Sequence, residues 1–549
     1  MKEATIAALI SEHAEKYPDK TAFIFDNHFY SWRQVDRCTD RIAAGMLKKG
    51  IIKGTHLGFW SMNHAAAVFY LLAAMKIGVV CAVINYSYHE FELKNVLQEA
   101  DIEFLYLGEY KKGLDYRAMV QAVGLDCPKL RCVEDMLPVF ESLFAPGAEC
   151  ETAPEDKEML EGAKREVGPE DVLVITFTSG TTMVPKMVML TQRSVIFDVT
   201  QFTRRMRIGP DDILLAPLPL FHSSGISGML IFAVVTGVTA VIHRSFIAKT
   251  ALKDIERYKV TAIMAVPSML ELLIRDDAFE AADVSSLRVV QSSGSAVSVE
   301  SLRRIMKKLG IRHLLMGYGQ TECSPLVTMT LYEDDERTMT ETVGCPLRGV
   351  RVRIWDKGTG KSAQAICRSM VALDEEAGCE AAPGRTGEIQ VCGPNVMKGY
   401  YKNESENLKK FTSDGWLKTG DAGFMDERGY LHFVSRISDI IIRHGENISP
   451  LEIEYVVERF DNNIIKAKAV GVQSEIVQED IACFVQVKEE AFDPEAIKAC
   501  VRRTLASFKV PKYVFRVDSF PITGTGKIDQ AALKRLAEKL VGDRKLEAH

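Results

Sequence analysis

Short apolar runs rich in β-branched and aromatic residues alternate with amphipathic stretches near the start of the chain. The runs Thr21–Phe25 and His28–Tyr30 flank Asp26 and Asn27, two residue types that favour a β-hairpin turn. The next residues, beginning at Ser31, read SWRQ, in which a serine precedes a glutamine by three positions. This pattern is a capping box, so we expect a helix to begin there.

Strand and helix patterns then follow one another at the spacing of βαβ units. His56–Trp60 predicts a strand, Ala65–Lys76 an apolar helix and Val79–Ile84 a second strand. Further β-rich runs, each followed by a helix-like stretch, occur at Leu173–Phe177, Thr261–Val266 and Leu287–Gln291. This alternation favours an α/β fold with parallel-rich sheets covered by helices.

The texture changes towards the C-terminus, first to short strands and turns and then, after Arg436, to a compact α+β pattern. The sequence therefore predicts a large α/β domain at residues 1–435 and a small α+β domain at residues 436–549. At roughly 150 residues per folding unit, the large domain is expected to be subdivided. The expected subdomains are about 1–170, 171–343 and a β-rich one at 344–435.

Composition narrows the class of protein. Hydrophobic residues make up 47% and charged residues 26% of the 549 residues, which is ordinary for globular proteins and excludes a disordered or collagen-like chain. The net charge of −6 lacks the basic surplus of nucleic-acid binders, so we expect no nucleic-acid partner. The 12 cysteines are scattered without a C-x-x-C pair, which indicates reduced thiols in a cytoplasmic protein and not a zinc site.

Two segments bear on membrane association. The first 20 residues contain only Ala4–Ile10 as an apolar stretch and lack a cleavage site, so they predict an amphipathic helix and not a signal peptide. The stretch Ile213–His243 has no Asp, Glu, Lys or Arg, but its prolines and glycines leave no uninterrupted span of about 20 apolar residues. We therefore expect no integral membrane segment.

The segment TFTSGTTMVPK at residues 176–186 crowds hydroxyl side chains around one glycine and ends in a lysine. Hydroxyls and backbone N–H groups at such a turn can surround a phosphate chain, and the lysine adds a positive charge. The Walker A pattern does not fit, because no glycine precedes Lys186. The segment predicts a phosphate-binding loop of another kind, with an ordinary surface loop as the alternative.

Six further segments occur in order after this loop begins. They are PLPLFH at 217–222, GYGQTE at 317–322, WLKTGD at 416–421, SRISD at 435–439, GENISP at 445–450 and PITGTGK at 521–527. With these segments the chain resembles the adenylate-forming (AMP-binding) enzyme superfamily, of the acyl-CoA synthetase or fatty-acid–CoA ligase type. The resemblance extends over residues 176–527 and is far more specific than any single segment.

The resemblance implies an AMP-forming acid–thiol ligase. In this family a carboxylate attacks the α-phosphorus of ATP to give an acyl-adenylate and pyrophosphate, and the thiol of coenzyme A then displaces AMP. The implied ligands are ATP, Mg²⁺, coenzyme A and a small-molecule carboxylic acid. The residues ECSP that follow GYGQT favour a fatty acid over an aryl acid. Because two anions must meet, preorganised cations and donors are expected to supply most of the rate.

The family motifs imply roles for residues at matching positions. The loop expected to hold the β- and γ-phosphates consists of Thr178, Ser179, Gly180, Thr181, Thr182 and Lys186. Gly294, Ser295 and Ala296 match the segment beside the adenine, and Tyr318 and Gly319 match the one that packs on the purine face. Thr321 is expected at the α-phosphate, and Glu322 at Mg²⁺, which prefers hard oxygen ligands. Asp421 and Arg436 match ribose contacts.

Two further residues match positions with chemical roles. Lys527 matches the catalytic lysine that bridges the substrate carboxylate and the ribose-phosphate oxygens in the first half-reaction. His222 matches a position at the edge of the acyl pocket, where we expect it to position the substrate, since the carboxylate is already ionised near neutral pH. A buried structural histidine is the alternative for His222.

The family also implies a mobile C-terminal domain that turns about a hinge between the half-reactions. Ser438 matches the hinge, and Arg443 and Gly445 are expected to line a channel for coenzyme A in the second pose. Six basic residues and no acidic one lie between Lys498 and Arg516. They either attract the phosphates of coenzyme A or form a solvated surface.

Several departures and alternatives stay open. Met183 and Met187 stand where the family often has glycine, and a positive φ at either would strain the loop by about 1–2 kcal/mol. Ser438 stands where the hinge is usually Asp or Lys. Alternative functions are acyl transfer to a carrier-protein phosphopantetheine, an aryl or alicyclic acid substrate, and a nucleotide-binding relic. The sequence indicates neither the oligomeric state nor the pathway.

Overall fold

The computed structural model describes residues 4–145, 151–178, 185–294, 297, 299–356, 379–443, 446–474, 479–505, 507–523 and 528–547. The contacts divide the chain into two compact units. Unit 1 comprises residues 1–352, 390–418 and 429–431, and unit 2 comprises residues 353–389, 419–428 and 432–549. Unit 2 thus begins earlier than the expected small domain, and the boundary at residue 436 stays a prediction.

The strands and helices are numbered in chain order. The strands are β1 (Thr21–Phe25), β2 (His28–Ser31), β3 (His56–Trp60), β4 (Val80–Ile84), β5 (Phe104–Leu107), β6 (Cys132–Asp135), β7 (Val172–Thr178), β8 (Lys186–Thr191), β9 (Ile213–Leu215), β10 (Thr239–Val241), β11 (Ala262–Ala265), β12 (Val289–Ser292), β13 (His313–Tyr318), β14 (Thr328–Met329), β15 (Cys345–Pro346), β16 (Arg351–Asp356), β17 (Cys379–Glu380), β18 (Gly387–Cys392), β19 (Gly399–Tyr400), β20 (Leu417–Met425), β21 (Leu431–Arg436), β22 (Ile441–Arg443), β23 (Glu446–Ile448), β24 (Ile464–Gln473), β25 (Glu479–Val487) and β26 (Tyr513–Arg516).

The α-helices are α1 (Ile6–Lys16), α2 (Trp32–Lys48), α3 (Ala65–Lys76), α4 (Glu90–Glu99), α5 (Tyr116–Gly124), α6 (Met136–Leu143), α7 (Pro154–Glu166), α8 (Gln192–Arg205), α9 (Ser223–Gly225), α10 (Phe232–Thr236), α11 (Ala248–Tyr258), α12 (Pro267–Arg275), α13 (Val299–Leu309), α14 (Glu336–Glu341), α15 (Glu404–Lys410), α16 (Pro450–Glu458), α17 (Pro494–Thr504) and α18 (Gln530–Glu547). A π-helix (Ile226–Ile231) and 3₁₀ turns at Phe279–Ala281, Thr321–Cys323, Ile437–Asp439 and Ser507–Lys509 complete the helical elements of the described residues.

One sheet of unit 1, as far as it is described, has nine strands in the order β15-β14-β13-β12-β11-β9-β10-β1-β2. The strands from β13 to β1 run parallel, and β2, β14 and β15 are antiparallel to their neighbours. The predicted hairpin is confirmed: Asp26 and Asn27 have φ of 48° and 65°, which a type I′ turn requires. The predicted capping box is confirmed as well, because Ser31 and Gln34 exchange side-chain and backbone hydrogen bonds where α2 begins.

The second sheet of unit 1 has the order β19-β8-β7-β4-β3-β5-β6 over the described residues. The strands from β7 to β6 are parallel, whereas β8 and β19 add antiparallel pairs at one side. β3 and α3 have the predicted bounds, and every residue of α3 is buried. The core on this sheet includes the fully buried Trp60, Leu105 and Ile175.

Unit 2 contains most of a five-stranded sheet in the order β17-β16-β18-β20-β21, the hairpin β22-β23 and the sheet β24-β25-β26. Cys483 and Phe484 are neighbours in β25, so their side chains point to opposite faces of that last sheet. Cys483 belongs to a hydrophobic cluster with residues of α16 and α17, and Phe484 to a cluster with residues of α18. The predicted α/β fold, with parallel-rich sheets and a small α+β part, is thereby confirmed.

Two findings concern expectations from composition. Cys38, which is buried in α2, is disulfide-bonded, so the expectation of reduced thiols is wrong at this position. Within the described ranges, no helix combines the length and the apolar character needed to cross a membrane.

Candidate active site

Three of the predicted site segments leave the same edge of the nine-stranded sheet. The strands β9, β11, β12 and β13 are parallel neighbours. The PLPLFH segment follows β9, Gly294 follows β12, and the GYGQTE segment begins at the end of β13. Ligands of open α/β sheets bind beyond the carboxyl ends of the strands. The topology therefore brings these segments to the edge where a ligand is expected.

After β13 the backbone passes so close to another segment that one position has no room for a side chain. A Cβ atom on Gly319 would lie 2.0 Å from the carbonyl oxygen of Pro325, so this position requires glycine. Thr321 begins a 3₁₀ turn and is buried, and its Oγ1 accepts a hydrogen bond from Ser223 Oγ at 3.2 Å. The segment after β13 is thus joined directly to the residues that follow PLPLFH.

Glu322 is buried and its carboxylate is oriented by a tyrosine from another segment. The hydroxyl of Tyr400 donates a hydrogen bond to Glu322 Oε1 at 2.7 Å, and the N–H of Met397 donates to the Glu322 carbonyl at 2.9 Å. Burial, together with the neighbouring Glu322 charge, raises the pKa of Tyr400. Tyr400 is therefore a hydrogen-bond donor at every pH at which the protein is ordinarily studied.

Lys186 lies opposite Thr178, where β7 and β8 form the ends of the predicted phosphate loop. Its ammonium is 2.6 Å from Glu406 Oε2 and 5.2 Å from the centroid of the Tyr400 ring. The other oxygen of Glu406 accepts a hydrogen bond from Lys409 at 2.8 Å. The hydrogen bonds from Lys186 and Lys409 lower the pKa of Glu406 to about 2, so Glu406 is ionised.

His222 has a structural contact at one ring nitrogen. His222 is the N-cap of α9: its Nδ1 accepts a hydrogen bond from the backbone N–H of Ser224 at 3.2 Å and lies 2.7 Å from Ser224 Oγ. The preceding residues are held by Asn63, whose Nδ2 donates to the Leu218 carbonyl and whose Oδ1 accepts from the Leu220 N–H, both at 2.9 Å. The acyl-pocket role of His222 stays a prediction.

Unit 2 carries the other predicted residues that are described. Asp421, in β20, lies 3.8 Å from Arg436 Nε through its Oδ1, so the two expected ribose contacts are neighbours. Arg443 donates to the Val510 carbonyl at 2.9 Å and is 3.7 Å from Asp480. Ser438 lies in the 3₁₀ turn Ile437–Asp439. The hinge and channel roles of these residues stay predictions.

The basic segment near the C-terminus is largely neutralised within unit 2. Lys498 pairs with Glu495, Lys509 with Glu452, Lys512 with Asp480, and Arg516 with Asp518. These pairs favour the solvated-surface interpretation over a dedicated site for coenzyme A phosphates.

Some predicted residues lie outside the described residues. They are Ser179, Gly180, Thr181, Thr182, Ser295, Ala296, Gly445 and Lys527, together with Met183. Met187 is among the described residues. It lies in β8 opposite Phe177 of β7, is buried, and does not have a positive φ. The strain considered for Met187 is therefore absent.

No motif or periodicity in the sequence indicates the site contacts of Tyr400, Glu406 and Asn63. Tyr400 contacts a residue 78 positions away, Glu406 one that is 220 away, and Asn63 one that is 155 away. Periodicity and local motifs report only short separations. The one local signal is the Gly-Tyr pair at residues 399–400, which lies just before the WLKTGD segment.

Among the described residues, no group of three His, Cys, Asp or Glu side chains forms a metal site.

Comparisons with known proteins identify the family of the chain. The family model described as AMP-binding enzyme matches residues 10–401, and the one described as AMP-binding enzyme C-terminal domain matches residues 452–527. YngI of Bacillus subtilis (strain 168), whose name assigns it provisionally to the acyl-CoA synthetases, is 30% identical over 97% of this chain and 96% of its own. The mitochondrial medium-chain acyl-CoA ligase ACSF2 of Danio rerio is 27% identical over 99% of this chain and 90% of its own.

A solved structure supports the fold. The crystal structure of ATP-bound MatB from Rhodopseudomonas palustris superposes with a TM-score of 0.82, at 24% identity, over 97% of this chain and 99% of that one. The family models match more than half of the residues, and the first of them includes both sheets of unit 1 and the segments that contain Lys186, Glu322 and Tyr400. The chain therefore belongs to the AMP-binding enzyme family.

Proposed function

We propose that the chain is an ATP-dependent carboxylic acid–CoA ligase that forms an acyl-adenylate and then an acyl-CoA thioester, with a fatty acid as substrate. Membership of the AMP-binding enzyme family and the two relatives named as acyl-CoA synthetase or ligase support the reaction class. The medium-chain name of one relative and the ECSP sequence after Thr321 support the fatty-acid substrate.

The observation that carries the proposal is the series of contacts from Lys186 through Tyr400 to Glu322. One tyrosine holds both an ammonium group and a carboxylate, and Thr321 is adjacent to that carboxylate. Adenylation brings a carboxylate to a polyphosphate, so charges fixed before the reaction lower its barrier without reorganising. In this proposal Lys186 neutralises phosphate charge and Thr321 donates to the α-phosphate.

Glu322 fits the ligand chemistry of Mg²⁺. Its carboxylate supplies hard oxygen atoms, it is buried, and the bond from Tyr400 fixes its orientation. When bound, Mg²⁺ would neutralise charge on the phosphate oxygens. A single protein carboxylate is enough, because Mg²⁺ usually keeps waters and phosphate oxygens as its other ligands.

The remaining roles follow from the resemblance and are part of the proposal. The phosphate loop comprises Thr178, Ser179, Gly180, Thr181 and Thr182, and the adenine segment comprises Gly294, Ser295, Ala296, Tyr318 and Gly319. Asp421 and Arg436 would contact the ribose, and His222 would position the acid. Lys527 would deliver its ammonium to the reacting carboxylate. Ser438 would be the hinge, and Arg443 and Gly445 would line the channel for coenzyme A.

Acid-dependent exchange of labelled pyrophosphate into ATP tests the first half-reaction. We expect exchange to be strongest with medium-chain fatty acids and to fall at least a hundredfold in Glu322→Gln, the scale of losing one key electrostatic group. Glu404→Gln, at an exposed glutamate of α15, is the matched control and should exchange like the wild type. Absence of exchange with every acid, in a protein that binds Mg–ATP, would overturn the proposal.

Release of AMP tests the acceptor and the substrate class. Free coenzyme A should support AMP release with the best acid, and a phosphopantetheinyl carrier protein should not exceed it. A preference for the carrier protein would replace the second half of the proposal with the carrier alternative. Stronger exchange with aryl or alicyclic acids than with fatty acids would overturn the fatty-acid substrate but leave the ligase reaction intact.

A further inference from the structure

The side chain of Tyr400 contacts both Lys186 and Glu322. It lies in β19, beside Val188 of β8, and is 2% exposed. Its hydroxyl donates to Glu322 Oε1 at 2.7 Å, and its ring lies under the Lys186 ammonium at 5.2 Å. The two groups that the proposed function assigns to the phosphates and to Mg²⁺ are thus held at a spacing set by one rigid ring.

The backbone of Tyr400 is itself fixed from α15. Asn407 Oδ1 accepts a hydrogen bond from the Tyr400 N–H at 2.7 Å, and Asn407 Nδ2 donates to the Tyr400 carbonyl at 3.0 Å. The same helix carries Glu406, which pairs with Lys186, and Lys410, whose Nζ is 3.4 Å from Gln320 Oε1. Helix α15 therefore contacts β8, Tyr400 and the segment that leads to Thr321.

We propose that Tyr400 is a positioning residue for adenylation, whose hydroxyl orients the Glu322 carboxylate and whose ring face fixes the Lys186 ammonium. The inference rests on the proposed function and names a residue that acts through these two groups. A hydrogen bond to one oxygen of a carboxylate limits its rotation and directs the other oxygen. A cation over an aromatic face is attracted by the ring quadrupole, which restricts a long lysine side chain.

The two contacts can be separated by substitution. Tyr400→Phe keeps the ring and removes only the hydroxyl, whereas Tyr400→Leu removes both contacts. Tyr401→Phe is the matched control, because the Tyr401 hydroxyl bonds Asp101 Oδ2 at 2.8 Å and belongs to a separate cluster with Lys402 and Lys129. The measurement is equilibrium binding of ATP by calorimetry without any acid present, once with Mg²⁺ and once with a chelator.

Tyr400→Phe should weaken ATP binding about tenfold with Mg²⁺ and less than twofold with the chelator, the difference expected for a bond to a charged group. Tyr400→Leu should in addition weaken binding about threefold with the chelator, because the Lys186 contact is lost. Tyr401→Phe should match the wild type in both conditions. Equal losses with and without Mg²⁺ for Tyr400→Phe, or no loss at all, would overturn the inference.

Two further results keep the inference separate from folding and from the proposed function. Thermal unfolding shows whether each variant folds. If Tyr400→Phe does not fold, Asn407→Ala replaces it, because that variant keeps the Tyr400 hydroxyl but frees the Tyr400 backbone. Asn407→Ala should show a smaller Mg²⁺-specific loss of ATP affinity. Wild-type protein without Mg²⁺-dependent ATP binding or pyrophosphate exchange contradicts the proposed function. If the wild type exchanges pyrophosphate but Tyr400→Phe binds ATP as the wild type does, only the role of Tyr400 is contradicted.

Discussion

The ammonium of Lys186 forms an ion pair with Glu406, with 2.6 Å between Nζ and Oε2. Both side chains are 28% exposed, and Lys409 bonds the other carboxylate oxygen. Glu406 is thus ion-paired with the lysine that the proposed function assigns to the ATP phosphates. Its carboxylate contacts Lys186 much as a phosphate oxygen would, so phosphate and Glu406 compete for the same ammonium.

Glu406→Gln is therefore expected to tighten ATP binding. The substitution removes the competing anion and leaves the charges of Lys186 and Lys409 uncompensated, which raises the positive potential at the loop. The dissociation constant for ATP should fall by about two- to fivefold at low ionic strength, and the gain should shrink as salt is added. Because the pKa of Glu406 is about 2, the gain should not vary between pH 6 and pH 8.

Glu404→Gln separates this local effect from a change in net charge. Glu404 lies in the first turn of the same helix and is exposed, so its neutralisation changes the overall charge equally. Calorimetric titration with ATP compares the two variants. An equal gain in both would assign the effect to net charge. A weaker affinity in Glu406→Gln would show that Glu406 orients Lys186 and does not compete for it.

The sequence predicted local elements well and long-range contacts poorly. The hairpin at Asp26 and Asn27 and the helix capped by Ser31 depend on turn and capping chemistry within four residues, and both are confirmed. The same information predicted that Lys186 and Glu322 belong to one site, through motif order. It did not predict that Tyr400 and Glu406 hold them, because those contacts arise only from the packing of β19 and α15.

Asn63 offers a prediction about residues 217–221, which precede His222, the proposed acid-positioning residue. Its amide bonds the Leu218 carbonyl, the Leu220 N–H and the His243 carbonyl at 2.9–3.0 Å, and it is 2% exposed. Asn63→Ala leaves these buried groups without their partner, which should lower the free energy of unfolding by about 2–3 kcal/mol. It should also loosen the residues before His222.

The exchange assay separates these two effects of Asn63→Ala. The KM for the acid should rise at least fivefold, while the KM for ATP should change less than twofold, because the loosened segment precedes the proposed acid-positioning residue His222. A parallel increase in both constants would indicate general destabilisation, and a specific role of Asn63 in positioning the acid through His222 would then be rejected.

Asp198 provides a prediction about pH and stability. It is fully buried in α8 and accepts a hydrogen bond from the Leu326 N–H at 3.1 Å. Burial raises the pKa of Asp198 well above its usual value of about 3.9. The folded protein therefore keeps a proton that the unfolded chain releases, and the free energy of unfolding falls as the pH rises above about 4 towards the folded pKa.

Asp198→Asn removes this titration and keeps an oxygen for the Leu326 N–H. Its free energy of unfolding should exceed that of the wild type at pH 8 by about 1 kcal/mol or more, since one unit of pKa corresponds to about 1.4 kcal/mol. The difference should shrink as the pH is lowered towards about 4, because the unfolded Asp198 then takes up a proton as well. Urea denaturation between pH 4 and pH 8 measures it; a difference that is constant with pH would contradict a protonated Asp198.

Lys527 lies outside the described residues, so its proposed role depends on the PITGTGK match and is best tested by separating the half-reactions. In Lys527→Ala, adenylation should lose about 3 kcal/mol or more of transition-state stabilisation, because the substitution removes the ammonium that is proposed to contact both the carboxylate and the phosphate. Thioester formation from preformed acyl-adenylate and coenzyme A should stay within a few fold of the wild type.

Lys534→Ala, at a lysine of α18 that pairs with Glu479, is the control in the same unit and should retain both steps. Single-turnover measurements of each step decide the matter: if both steps slow equally in Lys527→Ala, the lysine supports the site as a whole and does not act in the first half-reaction alone.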